Sequence, residues 1–312
     1  GGGANRPGAG ANGPAFAGAA VAAALAVPQV DRTDPGAPLL LAAQGADLPT
    51  LVAAVASAPA ESAEVPLAVV RARIAAGDLD GARRDLDGYA AMDPLDWRVD
   101  WYRGLLALTA DDPRGARSAF DRVVDALPGE LAALLALAVA TEWGGDRETA
   151  LRAYQRVWRT DQSFTSAAFG QARILLAAND RQRAVGVLDA VPASSSHHVA
   201  AQIAAARARF AAVPAALSAP DLVDAAGRVE RLGLDVERRT GLTIELLDAA
   251  MAWVDHTGAA RDERVLGHRL TDRDLRFGLE RAYRALALVA PDRQARIELV
   301  DRANGVRPRT WL

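Results

Sequence analysis

Histidine is the side chain best suited to moving a proton or holding a metal near neutral pH. This 312-residue chain has four, His197, His198, His256 and His268. None stands in a ligand spacing such as H-E-x-x-H, so their positions predict surface histidines. Asp255-His256 has the makings of an acid–base pair, but such a pair acts only beside a nucleophile, and no G-x-S-x-G supplies one. All 36 Lys+Arg residues are arginine. Without lysine there is no Schiff base, no P-loop ammonium and no kinase strand lysine. HRD and DFG are absent as well, since no Asp follows His268-Arg269 directly. A segment so written cannot transfer phosphoryl groups by itself. Cysteine is missing, which removes disulfides and thiolate metal sites. Gly8, Gly10 and Gly13 spell G-x-G-x-x-G, but only seven residues precede them and a nucleotide loop needs a strand there. The expectation is therefore no catalytic, cofactor or metal site.

What remains is chemistry for holding a partner, and it depends on the elements that present it. GARRDLDGYAAMDP (81–94) returns as GARSAFDRVVDALP (115–128), 34 residues later. The same interval continues to Ala150 and Tyr154, then to Ala184 and Leu188. A period of 34 with a small residue at position 8, Ala at 20, a large apolar residue at 24 and Pro near 32 is the tetratricopeptide pattern, a stack of helical hairpins. Gly104, Ala116, Phe120 and Pro128 fill these positions in the unit 97–130. The unit 131–164 has Ala138, Ala150 and Tyr154 but Gln162 for proline, and 165–198 has Ala172, Ala184 and Leu188 with Pro192 early. The unit 63–96 carries Val70 where a smaller residue is usual. Positions 8 and 20 must be small because two antiparallel helices cross there. Gly77, Gly145 and Asn179 fall at position 15, where the first helix must end.

In such units positions 2, 5, 9, 12 and 13 face an inner groove. Arg71 and Arg173 stand at position 9, Trp101 at 5, Glu142 and Trp143 at 12 and 13. Tryptophan and arginine dominate binding hot spots, so Arg71, Trp101, Trp143 and Arg173 form the candidate partner groove. The competing reading buries the tryptophans between helices. Leu67 and Arg71 replace the Lys and Asn of the chaperone-binding clamp, so a chaperone C-terminus is not the expected ligand.

The composition suits helices: 51% is hydrophobic, much of it alanine, and only 5% is aromatic. The alternation of strands is missing. The charge is −3 with signs interspersed and no basic stripe, so nucleic acid is not expected as a partner. No apolar run spans a membrane, and AFAGAAVAAALAV (15–27) reads as a soft alanine-rich helix or linker rather than a signal peptide. The expected organisation is a low-complexity linker over 1–24, a connection over 25–62, repeat hairpins over 63–198 and a helical cap over 199–312. Ser218–Asp221 and Thr271–Asp274 read as helix starts, and Leu275, Leu279, Tyr283 and Leu286 as one apolar stripe. Gly305 before Pro308 reads as a helix stop. The opening glycine predicts a piece of a longer polypeptide.

The words VDRTD (30–34), PGELA (128–132), SAAFGQAR (166–173), LDAVP (188–192) and LVDRANGVRP (299–308) follow in order. Together they resemble the C-terminal region of the actinobacterial protein kinase G family over roughly 25–312, with LVDRANGVRP and SAAFGQAR the most specific. The resemblance implies a parent serine/threonine kinase, cytoplasmic, with a rubredoxin-like module and an ATP- and Mg-dependent kinase domain ahead of this region. It implies that the repeats pack on that kinase domain, aid a homodimer and help recruit a forkhead-associated-domain substrate that controls 2-oxoglutarate and glutamate metabolism. The fold class expected is all-α, a tetratricopeptide α-solenoid with a helical C-terminal cap. The leading functional expectation is a non-catalytic docking and regulatory region of such a kinase. A free-standing repeat adaptor without a kinase is the alternative, and an enzyme in its own right a third.

Overall fold

The computed structural model describes residues 18–26, 28–43 and 45–308; Gly8, Gly10 and Gly13 lie outside them. Three short helices come first, α1 (Gly18–Ala24), α2 (Ala37–Ala42) and α3 (Leu48–Val55). Four hairpins follow: α4 (Glu64–Ala76) with α5 (Leu79–Met92), α6 (Trp97–Thr109) with α7 (Pro113–Ala126), α8 (Leu131–Trp143) with α9 (Arg147–Thr160), and α10 (Thr165–Ala177) with α11 (Arg181–Asp189). Then come α12 (His198–Phe210), α13 (Ala219–Arg231), α14 (Val236–Thr257), α15 (Asp272–Leu288) and α16 (Arg293–Val306). A two-stranded antiparallel ribbon, β1 (Arg261–Val265) and β2 (His268–Leu270), separates α14 from α15. The fold is all-α and of the tetratricopeptide class. The chain forms two compact units that divide at Val157 and Trp158, inside α9.

The periodic residues take the places their sizes require. Ala82, Ala116, Ala150 and Ala184 are wholly buried, and Leu86, Phe120, Tyr154 and Leu188 beside them are no more than 1% exposed. A Cβ on Gly104 would overlap the Phe120 ring and sit 2.6 Å from its Cζ, so the plug of α7 needs a glycine on α6. Each first helix ends on a left-handed residue at position 15: Gly77, Asp111, Gly145 and Asn179, with φ of 79°, 59°, 90° and 59°. The next residue is aspartate every time. Asp78, Asp112, Asp146 and Asp180 accept hydrogen bonds from the backbone N–H of Gly81, Gly115, Thr149 and Arg183 at 2.9–3.2 Å. This 34-residue aspartate rhythm caps every second helix. It is written in the sequence, one residue beyond the turn position and apart from the small and apolar positions that define the repeat.

The word VDRTD acts as a latch on the first hairpin. Asp34 accepts from Ser62 Oγ at 2.6 Å and from the backbone N–H of Ala63 and Glu64 at 2.9 and 3.1 Å, at the start of α4. The Asp31 N–H donates to Glu64 Oε1 at 2.9 Å. Glu64 in turn holds Arg98 at 2.7 Å, and Arg98 grips Asp96, which also accepts from the Tyr89 hydroxyl at 2.6 Å. Glu64 and Arg98 are one repeat apart, so the pair ties the first hairpin to the second.

Residues 18–24, within the stretch that reads as a soft alanine-rich helix or linker, form a packed helix, because alanine permits a helix wherever a surface receives one. One feature departs from the sequence reading. The β-ribbon has no signature in the sequence, since Arg-Asp-Glu-Arg-Val has no alternation and its partner strand is three residues long. Its turn puts both Leu266 and Gly267 at positive φ, and Val265 and Leu270, both wholly buried, root it in the core of the second unit. That core gathers Leu222, Leu246, Leu247, Trp253, Leu275 and Leu279. Ser218 and Asp221 form a full capping box for α13, and Thr271 caps α15.

Candidate docking surface

Arg71, Trp101 and Trp143 stand on α4, α6 and α8, the first helices of three successive hairpins of the first unit. Their helices therefore share the inner-face register, but the side chains part ways. Trp101 is 3% exposed and turned into its own hairpin, where it meets Phe120 edge-on with ring centroids 5.3 Å apart. Its Nε1 is buried without a hydrogen-bond partner. Trp101 is thus core, correcting its place in the candidate groove: an indole at a close crossing gains more by filling the space over Phe120 than by facing water. Arg71 is exposed and free of ion pairs among the described residues. Burial pushes the neighbouring Tyr102 hydroxyl up, and the positive charge of Arg71 opposes that shift. Trp143 is half-buried and engaged with its surroundings. Arg173 is exposed on α10 of the second unit and is also engaged. Glu142, at position 12, accepts from the Tyr154 hydroxyl at 2.8 Å, so it braces its own hairpin.

The inner face of the first unit is occupied. α1 packs along α6, and Gly18 approaches it so closely that a Cβ there would overlap the Leu108 carbonyl oxygen and come 2.5 Å from Cη2 of Trp143. Gly18, Ala22 and Leu25 recur at steps of four and three and form the inward stripe, with Ala22 and Leu25 each 7% exposed. Leu108 and Trp143 hold positions 12 and 13 of their repeats, which are inner-face positions. At these two inner-face positions, then, the first unit meets the chain's own helix α1. The cue in the sequence is a glycine followed by small residues at helical spacing, which alanine-rich composition hides.

A charged network joins the first two hairpins. Burial alone would raise the Asp96 carboxyl, but hydrogen bonds from Arg98 and Tyr89 outweigh it and hold the group below the usual carboxylate range. Asp34 follows the same balance, with Ser62 and three backbone N–H groups on its carboxylate.

The histidines are placed structurally. His198 donates from Nδ1 to the Val191 carbonyl at 2.9 Å, and Nδ1 of His197 lies 3.2 Å from Thr165 Oγ1. Asp255 and His256 are both exposed at the end of α14. Nδ1 of His268 lies 3.3 Å from Arg281, and burial followed by that cation lowers the affinity of the ring for a proton. Among the described residues no three His, Asp or Glu side chains group closely enough to hold a metal ion. Among them, too, no helix is long and apolar enough to cross a membrane.

Residues 8–310 match the family described as protein kinase G tetratricopeptide repeat. The chain is 38% identical over 298 residues to the serine/threonine-protein kinase PknG of Mycolicibacterium smegmatis, a match covering 91% of this chain and 39% of that kinase. It is 36% identical over 315 residues to PknG of Mycobacterium leprae, covering 94% of this chain and 40% of that one. Among solved structures, YrrB, described as a tetratricopeptide repeat protein with an unusual peptide-binding site, overlays with a TM-score of 0.44 at 15% identity, covering 67% of this chain and 98% of YrrB. This chain belongs to the protein kinase G tetratricopeptide repeat family. It spans about 40% of the length of the curated kinases it matches.

Proposed function

We propose that this chain is the docking and regulatory part of a cytoplasmic PknG-like serine/threonine kinase, whose separate kinase domain uses ATP and Mg. The observation that carries this is the match of residues 8–310 to the repeat region of that family, with relatives that extend well beyond it. The absence of lysine from the chain supports a division of labour, since phosphoryl transfer needs a phosphate-gripping lysine from elsewhere. In this reading the repeats hold the kinase domain, contribute to a homodimer and bring in a forkhead-associated-domain substrate that regulates 2-oxoglutarate and glutamate metabolism. The side chains assigned to recruitment are Arg71 and Trp143 on the inner face and Arg173 on α10, with Trp101 supporting the face from within. Arginine offers a planar fork for carboxylates and the indole offers area at low entropic cost.

The coding DNA upstream of Gly1 tests the first half: an in-frame kinase domain is expected, and its absence selects the free-standing adaptor. The second half is tested with the full kinase. Arg71→Ala or Trp143→Ala should slow phosphorylation of the forkhead-associated substrate about tenfold, a hot-spot-sized loss. Phosphorylation of a short undocked peptide should be unchanged. Equal slowing of both substrates would overturn recruitment by this face.

A further inference from the structure

The helix on the inner face cannot hold itself together. α1 has seven residues and no acidic side chain in its first turn. Isolated helices shorter than about 12–15 residues are marginal in water, so α1 is helical because its seat on α6 makes it so. The seat reads shape more than charge: a glycine against the Leu108 carbonyl and the Trp143 ring, then Ala22, then Leu25. Two small residues and one leucine are a modest contact, small enough to exchange. Six residues after Leu25, Asp31 and then Asp34 are pinned to α4, so a released helix stays tethered near its seat. Tethering keeps its effective concentration high and sets a threshold for any competitor.

We propose that α6 and the Trp143 indole form a docking seat for a short helix that carries a glycine, a small residue four positions on and a leucine three further. α1 occupies this seat as an exchangeable internal ligand, and a partner helix of the same pattern docks by displacing it. The proposal rests on the docking-face reading above and names how that face is regulated.

The test uses the full chain and, as probe, a labelled peptide of residues 15–30. Gly18→Val adds a side chain where even a Cβ does not fit, and Leu25→Ala removes the buried anchor without adding bulk. Both should bring residues 18–25 to unprotected hydrogen-exchange rates while α6 and α8 stay protected. Both should bind the probe at least tenfold more tightly than the parent chain, whose seat is filled. A probe carrying the Gly18→Val change should not bind. Release of α1 without tighter probe binding would overturn the seat, and so would equal binding of the two probes. Persistent protection of residues 18–25 in both variants would overturn the close-contact argument. The measurement contains no kinase and no phosphorylated substrate, so its failure is distinct from failure of the recruitment reading.

Discussion

The hairpin of α6 and α7 and the group of α14, α15 and α16 both pack helix on helix, yet they bring their helices together with different residues. In the hairpin the crossing is made by absence: Gly104 and Ala116 leave a gap, and Phe120 fills it. In the second group Leu246, Leu247, Leu275 and Leu279 fill the space themselves, all wholly buried, and Trp253 reaches the Leu217 carbonyl through its Nε1 at 3.1 Å. Gly278 of this group faces the His268 ring of the ribbon, where a Cβ would stand 2.8 Å from Cδ2. A crossing that is reused can be spelled once and copied. A crossing that occurs once is paid for by whichever large side chains fit.

This contrast predicts opposite sensitivities. Leu247→Ala should give the largest effect, ~2–5 kcal/mol, because it leaves a cavity in a core built from large side chains. A shift in urea midpoint equivalent to less than 1 kcal/mol would break the comparison from that side. Ala116→Leu should cost ~1–3 kcal/mol by overpacking the hairpin crossing. An unchanged midpoint for Ala116→Leu would mean that the crossing tolerates bulk and that the repeat spelling has another cause.

Next in size is a pH effect in the first unit. Asp96 and Asp34 have native carboxyls held low, so the folded chain binds fewer protons there than the unfolded one. Their stabilisation is complete above the ordinary carboxylate pKa, about 4, and is lost as pH falls through the depressed native values. Hydrogen exchange in α4 to α6 should accelerate on acidification, and Asp96→Asn should flatten that dependence. An Asp96→Asn profile that parallels the parent would remove the network from the account. The smallest of the four is Asp112→Ala, which removes one of the four periodic caps and should cost ~1 kcal/mol. Because Asp146 holds the same place one repeat on, Asp146→Ala should match it, and a clear disagreement would show that the repeats are not energetically equivalent.

Legibility followed the same division. Ala82, Ala116, Ala150 and Ala184 announced the hairpins because each must solve the same steric problem at the same interval. Ser218 and Thr271 announced helix starts because a cap is a local contact, settled within four residues. The β-ribbon has no such local signature: Val265 and Leu270, both buried, and the half-buried Leu266 of its turn anchor it, and the rest of its side chains are polar. Trp101 was ambiguous for a related reason. Its repeat position specifies the helix face, while the neighbouring Phe120 decides whether the indole turns inward.

What the sequence by itself determined is the hairpin: its period, its small crossing residues, its left-handed stop and, once noticed, its aspartate cap. These depend on neighbours within one repeat, and repetition makes them visible. The lack of lysine and cysteine likewise settled which chemistries the chain could not perform. Only the tertiary structure decided what covers the inner face. The Ala-rich stretch at 18–24 carries no strong preference of its own, so its state depends on a surface some 80 to 120 residues away, at Leu108 and Trp143. A weak local preference yields to a distant contact: the glycine spacing marks the helix's inward stripe and does not name Leu108 or Trp143.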